Sequence, residues 1–253
     1  MENKTAILVL NGKEFDANSF KKIYNDQFII AVDGGINHIY KYFPDITVDL
    51  HIGDMDSCEQ SALDNLSIAK TMKFPVEKDY SDYDLALEET HVLGYNNAIV
   101  FGAFGGRKDH FMSNFETSVY FAGKSLSRQT KNLFSILHKN KSSIHEEISE
   151  EIEETIPCCF SPVILIGEKE NMYFLNSSTK FKFSPKTSIS IFAGSDKVKH
   201  LTIKGFKYRL IDTELSRDNP LGLSNCAVDD TQSIEFTKGV IVVIENKTVV
   251  SDH

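Results

Sequence analysis

Hydrophobic residues in the first half of the chain form short runs separated by amphipathic stretches. The runs are predicted strands, at residues 6–10, 28–32, 50–52 and 98–101. The stretches that follow are predicted helices, at residues 19–24, 36–43, 60–66, 81–93 and 109–126. Because strands that alternate with helices build βαβ units, this half of the chain predicts a parallel sheet covered by helices in a three-layer domain.

The second half has a different pattern, in which short β-rich runs are separated by turn residues. Seven runs are predicted strands, at residues 163–166, 172–175, 180–183, 188–192, 200–203, 233–236 and 240–244. Closely spaced short strands are typical of antiparallel sheets. The predicted fold class is therefore α/β, with an N-terminal parallel-sheet domain at residues 1–125 and a C-terminal all-β sandwich at residues 161–253.

Residues 126–160 connect these two predicted domains and are rich in Lys, Ser and Glu. Isoleucines recur there at every fourth position, at Ile144, Ile148, Ile152 and Ile156. This spacing favours an amphipathic helix with a narrow apolar stripe. A flexible linker and a docking element are the alternatives, because charged runs usually form solvated faces.

Composition limits the partners. The chain has 253 residues, of which 41% are hydrophobic, and this is enough for two modest domains with real cores. The net charge of -9 comes largely from six glutamates between positions 146 and 154, without which 30 acidic residues face 27 basic ones. The remainder is nearly neutral, so bulk charge does not favour nucleic acid as a partner.

No stretch approaches the ~20 apolar residues that span a bilayer, and residues 6–10 lack the basic flank of a signal peptide. The four cysteines show no Cys-x-x-Cys spacing. We therefore expect a soluble, cytoplasmic protein that does not bind membranes and whose thiols are buried or idle.

Asp, Gly and Arg recur where the predicted strands of the first half end. Open α/β sheets bind ligands at this edge, where carboxylates can hold a divalent metal and glycine turns let the backbone approach phosphates. The segments are residues 32–35, 52–57, 78–82, 102–106 and 107–110.

Asp54 and Asp56 flank Met55 after the third predicted strand. In extended backbone their side chains would point to opposite faces, so a loop conformation is needed for both to reach one cation. Oxygen-only ligands at this spacing suit Mg²⁺. The alternative is an Asp-rich turn that caps the following helix.

Ser81 and Asp84 have the Ser-x-x-Asp spacing related to the capping box, which accounts for Asp84. It accounts less well for Asp82 beside Asp79, because neighbouring carboxylates repel unless a cation offsets them. Asp82 is therefore either a cap residue or a metal ligand.

The turn at residues 102–106 lies between a predicted strand and a predicted helix, where backbone amides can receive a phosphate. No Gly-Lys-Ser/Thr ends it, so it is not a Walker loop. Arg107 could bind phosphate oxygens or form a surface ion pair. Asp109 could be a metal ligand, orient Arg107 or cap the next helix, and His110 is more often a packing residue than a catalyst. Neither a dinucleotide fingerprint nor a nucleophile elbow is present.

In their order along the chain, these motifs resemble those of the thiamine pyrophosphokinase family, which transfers a pyrophosphoryl group from ATP to the hydroxyl of thiamine. The resemblance covers most of the chain and rests on residues 31–37, 53–57, 77–82, 102–110, 204–208 and 222–225.

The resemblance implies a nucleotide-binding domain, a thiamine-binding sandwich and a homodimer whose two active sites lie between subunits. It implies that the catalytic residues are Asp33, Asp54, Asp56, Asp82, Arg107 and Asp109, of which Asp54, Asp56 and Asp82 hold Mg²⁺. It also implies that the ATP phosphates contact Gly34, Gly35, Lys78, Gly105, Gly106 and Arg107. Ser224 and Asn225 resemble a thiamine-binding pair, and a polar turn between strands is the alternative.

The sequence departs from the family pattern in two places. It has no Trp, so an aromatic contact to the cationic thiazolium would come from Tyr208 or Phe206. The connector at residues 126–160 is also longer than expected. Two other functions use the same motifs: a metal-dependent hydrolase of nucleotides or diphosphate esters, with water as nucleophile, and a binding module without turnover. Asp33 and Asp109 are both candidates for the general base.

Overall fold

The structure, a computed structural model, describes residues 4–123 and 162–247. Its N-terminal part alternates strands with helices, as the hydrophobic pattern predicts. The elements in order are β1 (Thr5–Val9), α1 (Ala17–Ile23), β2 (Phe28–Val32), α2 (Gly35–Tyr42), β3 (Leu50–Gly53), α3 (Gln60–Asn65), β4 (Thr71–Lys73), α4 (Asp82–Val92), β5 (Asn97–Phe101) and α5 (Lys108–Gly123).

The strands of this part form a parallel sheet in the order β5-β1-β2-β3-β4. Side chains alternate between the two faces of β1, so Ile7 and Val9 pack with helices α1 to α3, whereas Ala6 and Leu8 pack with α4 and α5. Helices therefore cover both faces, and the predicted three-layer arrangement is confirmed. The carboxyl ends of β2, β3 and β5 consequently lie at one edge.

The C-terminal part is entirely β in the described residues. Its strands are β6 (Val163–Ile166), β7 (Glu170–Leu175), β8 (Thr179–Phe181), β9 (Ser188–Ala193), β10 (Lys197–Lys204), β11 (Leu210–Ser216), β12 (Gly222–Cys226), β13 (Gln232–Glu235) and β14 (Ile241–Asn246).

These strands make two packed layers. Strand β6 pairs in parallel with β5 and antiparallel with β7, so the first sheet continues into the second half as β12-β9-β14-β7-β6. Four strands in the order β11-β10-β13-β8 form the opposing sheet, and a second core fills the space between the layers. One face of the predicted sandwich is thus a continuation of the sheet of the N-terminal part.

Three strands are absent from the prediction. Strand β4 has three residues at the sheet edge, and its first and last side chains are exposed, so it carries no apolar run. Strands β11 and β12 are half exposed, with sequences LIDTELS and GLSNC. Ser224 and Asn225 lie within β12, so the alternative of a polar turn between strands is not what the structure shows. The predicted isoleucine-striped helix lies outside the described residues. Within the described residues, no helix is long and apolar enough to cross a membrane.

Candidate active site

Asp33 follows β2 and adopts a strained backbone conformation that points its carboxylate along the sheet edge. Its φ of 46° is in the left-handed region, which non-glycine residues rarely occupy. The Asp33 Oδ1 atom accepts a hydrogen bond of 3.0 Å from the Asp54 backbone N–H. Gly53 permits this contact, because a Cβ there would lie 1.8 Å from the same oxygen. His51 contacts the Asp33 carbonyl at 3.1 Å and supports the loop from below.

Asp54 and Asp56 occupy a loop of the kind that their convergence requires. Met55 between them has a φ of 71°, so the backbone is not extended. The Asp56 N–H donates to Asp54 Oδ1 at 3.0 Å, which closes a tight Asx-type turn. Neither carboxylate makes a side-chain cap of α3, whose capping residue, Glu59, also forms no side-chain cap. The capping alternative for this pair is therefore not what the structure shows.

At the start of α4, one acidic residue caps the helix and another faces the site. Ser81 and Asp84 form a complete capping box, and Asp84 also accepts from Thr117 of α5 at 2.9 Å. This confirms the structural role of Asp84. Asp82 instead faces the site, with Lys78 Nζ 3.0 Å from its Oδ1. This contact is an ion pair without hydrogen-bond alignment, and the buried Oδ1 atom has no hydrogen-bond partner among the described residues.

The carboxylates around Asp33 repel one another. The pKa of Asp33 is raised to about 7, chiefly by burial and in addition by the neighbouring Asp82 and Asp54 carboxylates. The exposed Asp56 also has a raised pKa, chiefly because of the Asp54 charge. Lys78 offsets only part of this charge. A site that holds several carboxylates against their repulsion is suited to a cation.

The donor set of this cluster suits a hard divalent ion, since every side chain is a carboxylate. Within residues 4–123 and 162–247 no three acidic, histidine or cysteine side chains already stand in metal-coordinating positions. Mg²⁺ commonly takes only one or two carboxylates and completes its shell with water and substrate phosphates. Asp82 Oδ1, which receives no hydrogen bond from a described residue, and the raised pKa of Asp33 fit such an ion.

Two loops enclose a cavity of about 520 Å³ beside the carboxylates. The loop after β1 and the glycine turn after β5 join through the Gly12 N–H, which donates to the Gly102 carbonyl at 2.7 Å. The loops approach so closely that a Cβ at Gly12 would lie 2.3 Å from that carbonyl oxygen. Gly105 and Gly106 have φ values of 77° and 83°, which leaves their backbone exposed on the cavity wall.

Arg107 and Asp109 form a two-pronged ion pair at the mouth of this cavity. Arg107 Nε and a terminal nitrogen donate to the two oxygens of Asp109 at 3.1 and 2.5 Å. Hydrogen bonds from Arg107 lower the pKa of Asp109 to about 2. Of the three roles considered for Asp109, the geometry favours the orientation of Arg107. Both side chains are exposed, so the guanidinium can still reach a ligand.

The structure brings together most, but not all, of the residues predicted to form the site. Those that line the cavity are Asp33, Asp56, Asp82, Gly105, Gly106, Arg107 and His110. Asp54 is not among the lining residues, but it is hydrogen-bonded to both Asp33 and Asp56. Gly34 and Gly35 are not among the lining residues, and Gly35 is needed for close packing, because a Cβ there would lie 1.9 Å from the Val9 carbonyl oxygen. Lys78 is held by Asp82 and the Pro75 carbonyl.

Ser224 and Asn225 lie at the far edge of the same sheet. Seven strand intervals separate β12 from β2, which is about 34 Å at the usual strand spacing. Asn225 is buried, and its amide group bonds the backbone of Tyr208 at 3.0 and 2.7 Å. Within one chain, Ser224 and Asn225 are therefore too far from the acidic cavity to contact the same ligand. Asn225 instead holds the backbone of the exposed Tyr208 in place.

The sequence motifs assigned no role to several residues that line the cavity: Asn11, Gly12, Lys13, Ser57, Ser113 and Asn114. Asn11, Gly12 and Lys13 follow the first apolar run, so the strand-end rule that selected Asp33 would also have selected them. Nothing in the sequence around Ser57 marks it as a contact residue. In the structure its hydroxyl oxygen accepts a hydrogen bond of 3.0 Å from the Gly34 N–H. Ser113 and Asn114 lie one to two turns into α5, and only the fold brings them to the cavity.

Comparisons with known proteins agree with this geometry. The model described as "Thiamin pyrophosphokinase, catalytic domain" matches residues 20–129, and "Thiamin pyrophosphokinase, vitamin B1 binding domain" matches residues 178–241. A curated thiamine pyrophosphokinase of Bacillus subtilis is 24% identical over 200 residues, which cover 77% of this chain and 76% of that protein.

Solved structures show the same fold. The Bacillus subtilis thiamine pyrophosphokinase structure has a TM-score of 0.70 at 21% identity, covering 96% of this chain and 99% of the other. That of Geobacillus thermodenitrificans has a TM-score of 0.69 at 19% identity, with 97% and 99% covered. The yeast structure has a TM-score of 0.65 at 13% identity, with 97% and 87% covered.

Fold and cavity together define a class: a ligand-binding α/β protein whose sheet runs on into a β-sandwich, with an acidic, glycine-walled site at the strand ends. Two family models, in the expected order, match more than half of the residues. The chain belongs to the thiamine pyrophosphokinase family of enzymes.

Proposed function

We propose that this protein transfers a pyrophosphoryl group from ATP to the hydroxyl of thiamine and releases AMP. The observation that carries the proposal is the convergence of Asp33, Asp56 and Asp82 with a glycine-walled cavity, in a chain that matches both family domains. Phosphoryl transfer needs this combination, because catalysis depends on positioning and on stabilising charge rather than on an enzyme nucleophile.

The residues divide the task between them. Backbone at Gly105 and Gly106 lies against the phosphates, and Arg107, oriented by Asp109, neutralises charge on the transferred group. Asp54, Asp56 and Asp82 would hold Mg²⁺, which when bound offsets the negative charge of the phosphates.

In the reaction the thiamine hydroxyl oxygen forms a bond to the β-phosphorus. The bond from that phosphorus to the bridging oxygen of AMP breaks, and AMP leaves with the electron pair. The hydroxyl proton needs an acceptor. Both Asp109 oxygens are bonded to Arg107, so Asp33, which lines the cavity, is the better placed of the two candidate bases.

We propose that a second copy of the chain supplies the thiamine pocket, giving a homodimer with sites between subunits. The separation of about 34 Å between β12 and β2 supports this, because a single chain cannot close it. Strand β12 is an edge strand with exposed Leu221 and Leu223 beside Ser224. Tyr208 is also exposed, and a cation, Lys207 Nζ, already lies 5.3 Å from its ring centroid. The thiazolium cation is a ligand of the same kind.

The test is to incubate the purified protein with ATP, Mg²⁺ and thiamine and to detect thiamine diphosphate and AMP by mass spectrometry. Asp54→Asn should reduce turnover about a hundredfold, which is roughly 3 kcal/mol of transition-state stabilisation. Asp45→Asn changes an exposed aspartate outside the cavity and is the matched control.

Other outcomes would replace the proposal. Release of AMP or phosphate without thiamine would indicate a hydrolase, and thiamine binding without product would indicate a binding module. A folded Asp54→Asn variant with near-normal turnover would remove Asp54 from the site. The cytoplasmic location expected from the sequence stays a prediction.

A further inference from the structure

Lys13 lies on the loop after β1 and runs along the glycine turn that forms the cavity wall. A Cβ at Gly106 would lie 3.7, 3.8 and 3.9 Å from Lys13 Cγ, Cδ and Cε. The aliphatic part of the side chain therefore passes beside the turn, within van der Waals reach of a side chain placed there, and Lys13 itself lines the cavity.

The loop that carries Lys13 is held on both sides. The Gly12 and Glu14 N–H groups donate to the carbonyls of Gly102 and Phe104 at 2.7 and 3.2 Å. On the other side, His38 Nε2 contacts the Gly12 carbonyl at 2.7 Å, and the His38 ring stacks on Phe15 with a centroid distance of 4.9 Å. The base of the Lys13 side chain is therefore fixed relative to the glycine turn.

Lys13 differs from the other cations around the cavity in its partners. Lys78 is paired with Asp82, and Arg107 is paired with Asp109. For Lys13, no ion pair is found anywhere in residues 4–123 and 162–247. Glu14 is the nearest acidic neighbour in sequence, and its Cγ packs against Gly105.

Lys13 has no ion pair among the described residues, its stem passes beside the glycine turn, and both line the cavity. A cation next to exposed glycine backbone is suited to a polyphosphate, which amides bind by hydrogen bonds and an ammonium by charge. We propose that Lys13 is a phosphate-binding residue that holds the triphosphate of the nucleotide against the turn at Gly105 and Gly106. The proposal rests on the proposed function for the identity of the nucleotide. Its chemical content, recognition of a polyphosphate, can be tested without thiamine.

The experiment measures binding of ATP with Mg²⁺, and of inorganic tripolyphosphate, by titration calorimetry. Lys13→Met should weaken both about tenfold, the lower end of the range for a hydrogen bond to a charged group, because the side chain is exposed. The loss should shrink at high salt, since screening weakens an exposed charge contact. Lys13→Arg should restore most of the affinity. Lys22→Met changes an exposed lysine on α1 and should bind as the wild type does.

In turnover assays Lys13→Met should raise the KM for ATP about tenfold and leave the KM for thiamine unchanged. A folded Lys13→Met variant with wild-type affinity for ATP and tripolyphosphate would overturn the proposal. So would an equal loss in Lys13→Arg, or a loss that high salt does not reduce. Lys13→Gln provides a second neutral variant should the methionine side chain disturb the loop.

The two proposals fail separately. If wild-type protein binds ATP in a Lys13-dependent manner but forms no thiamine diphosphate, the proposed function is wrong and the role of Lys13 stands. If it forms thiamine diphosphate and Lys13→Met leaves the KM for ATP unchanged, the role of Lys13 is wrong.

Discussion

Replacement of Asp33 by asparagine should make the protein more stable at alkaline pH when metal has been removed by a chelator. Asp33 lies in a partly buried cluster of carboxylates, and its pKa is raised from 3.8 to about 7. A carboxyl group with a raised folded-state pKa binds its proton more tightly in the folded protein. Stability is therefore highest below the unfolded pKa, near 4, and falls as pH rises to about 7.

The size of this effect follows from the shift. Each pKa unit corresponds to about 1.4 kcal/mol, so a shift of about three units sets a ceiling near 4 kcal/mol. Asp33 is only partly buried, and solvent screening reduces the value to about 1–2 kcal/mol. Asparagine removes the charge but keeps an oxygen that can accept from the Asp54 N–H. For a chain of this size we expect an increase in Tm of about 3–6 °C.

The assay is thermal denaturation of wild type and Asp33→Asn with chelator, at about pH 8 and again at about pH 3, where Asp33 is largely protonated in both the folded and the unfolded wild type. The gain should be present at the higher pH and absent at the lower one. Mg²⁺ added at the higher pH should raise the wild-type Tm, because a cation offsets the same repulsion. Asp45→Asn, on an exposed loop, should show no such pattern. Equal stability of Asp33→Asn and wild type at about pH 8, or a gain independent of pH, would refute the reasoning.

Two further predictions concern the scaffold. Lys247 Nζ donates to Asp16 Oδ2 at 2.9 Å and to the Gly167 carbonyl at 2.6 Å, so Lys247→Met should destabilise the protein by about 1–2 kcal/mol in thermal denaturation near neutral pH. Burial alone would raise the pKa of Asp16, but hydrogen bonds from Ser19 and Lys247 outweigh it and lower the pKa. The contribution of the ion pair is therefore present above about pH 4 and lost in acid, where the difference between the two proteins should shrink to that of the bond to the Gly167 carbonyl. Gly35→Ala places a Cβ 1.9 Å from the Val9 carbonyl oxygen and should abolish soluble expression, whereas a soluble variant with native circular dichroism would show that α2 can shift.

Predictions from the sequence were confirmed where the structure depends on interactions between residues close together in the chain. The Ser81–Asp84 capping box is such a case, because its hydrogen bonds join residues three apart and depend on little else. Strand β2 was predicted with its observed ends, since a continuous apolar run is typical of a strand buried on both faces. Strand β12 was missed because its exposed residues carry no such run and its pairing with β9 is a tertiary contact.

Part of the candidate site could also be predicted from the sequence, and part could not. That Asp33, Asp54 and Asp56 would meet at one edge could be inferred from their positions at predicted strand ends, whereas Asp82 begins α4 and follows β4, a strand that was not predicted. The assignment of Gly34 and Gly35 to phosphate could not be checked from sequence, because a glycine needed for close packing and a glycine needed for ligand approach look alike. Only the structure shows what surrounds each glycine: the Asn11 side chain lies next to Gly34, and the Val9 carbonyl lies next to Gly35.

The sequence by itself determined the alternation of strands and helices, the edge at which the acidic residues gather and the order of the family motifs, since each depends on spacing along the chain. Only the tertiary structure decided which charges are already paired, that Lys13 reaches the glycine turn, and that Ser224 lies some seven strands from Asp33. Ion pairing and separation across a sheet depend on how distant segments pack, and this is not encoded in the spacing of any one motif.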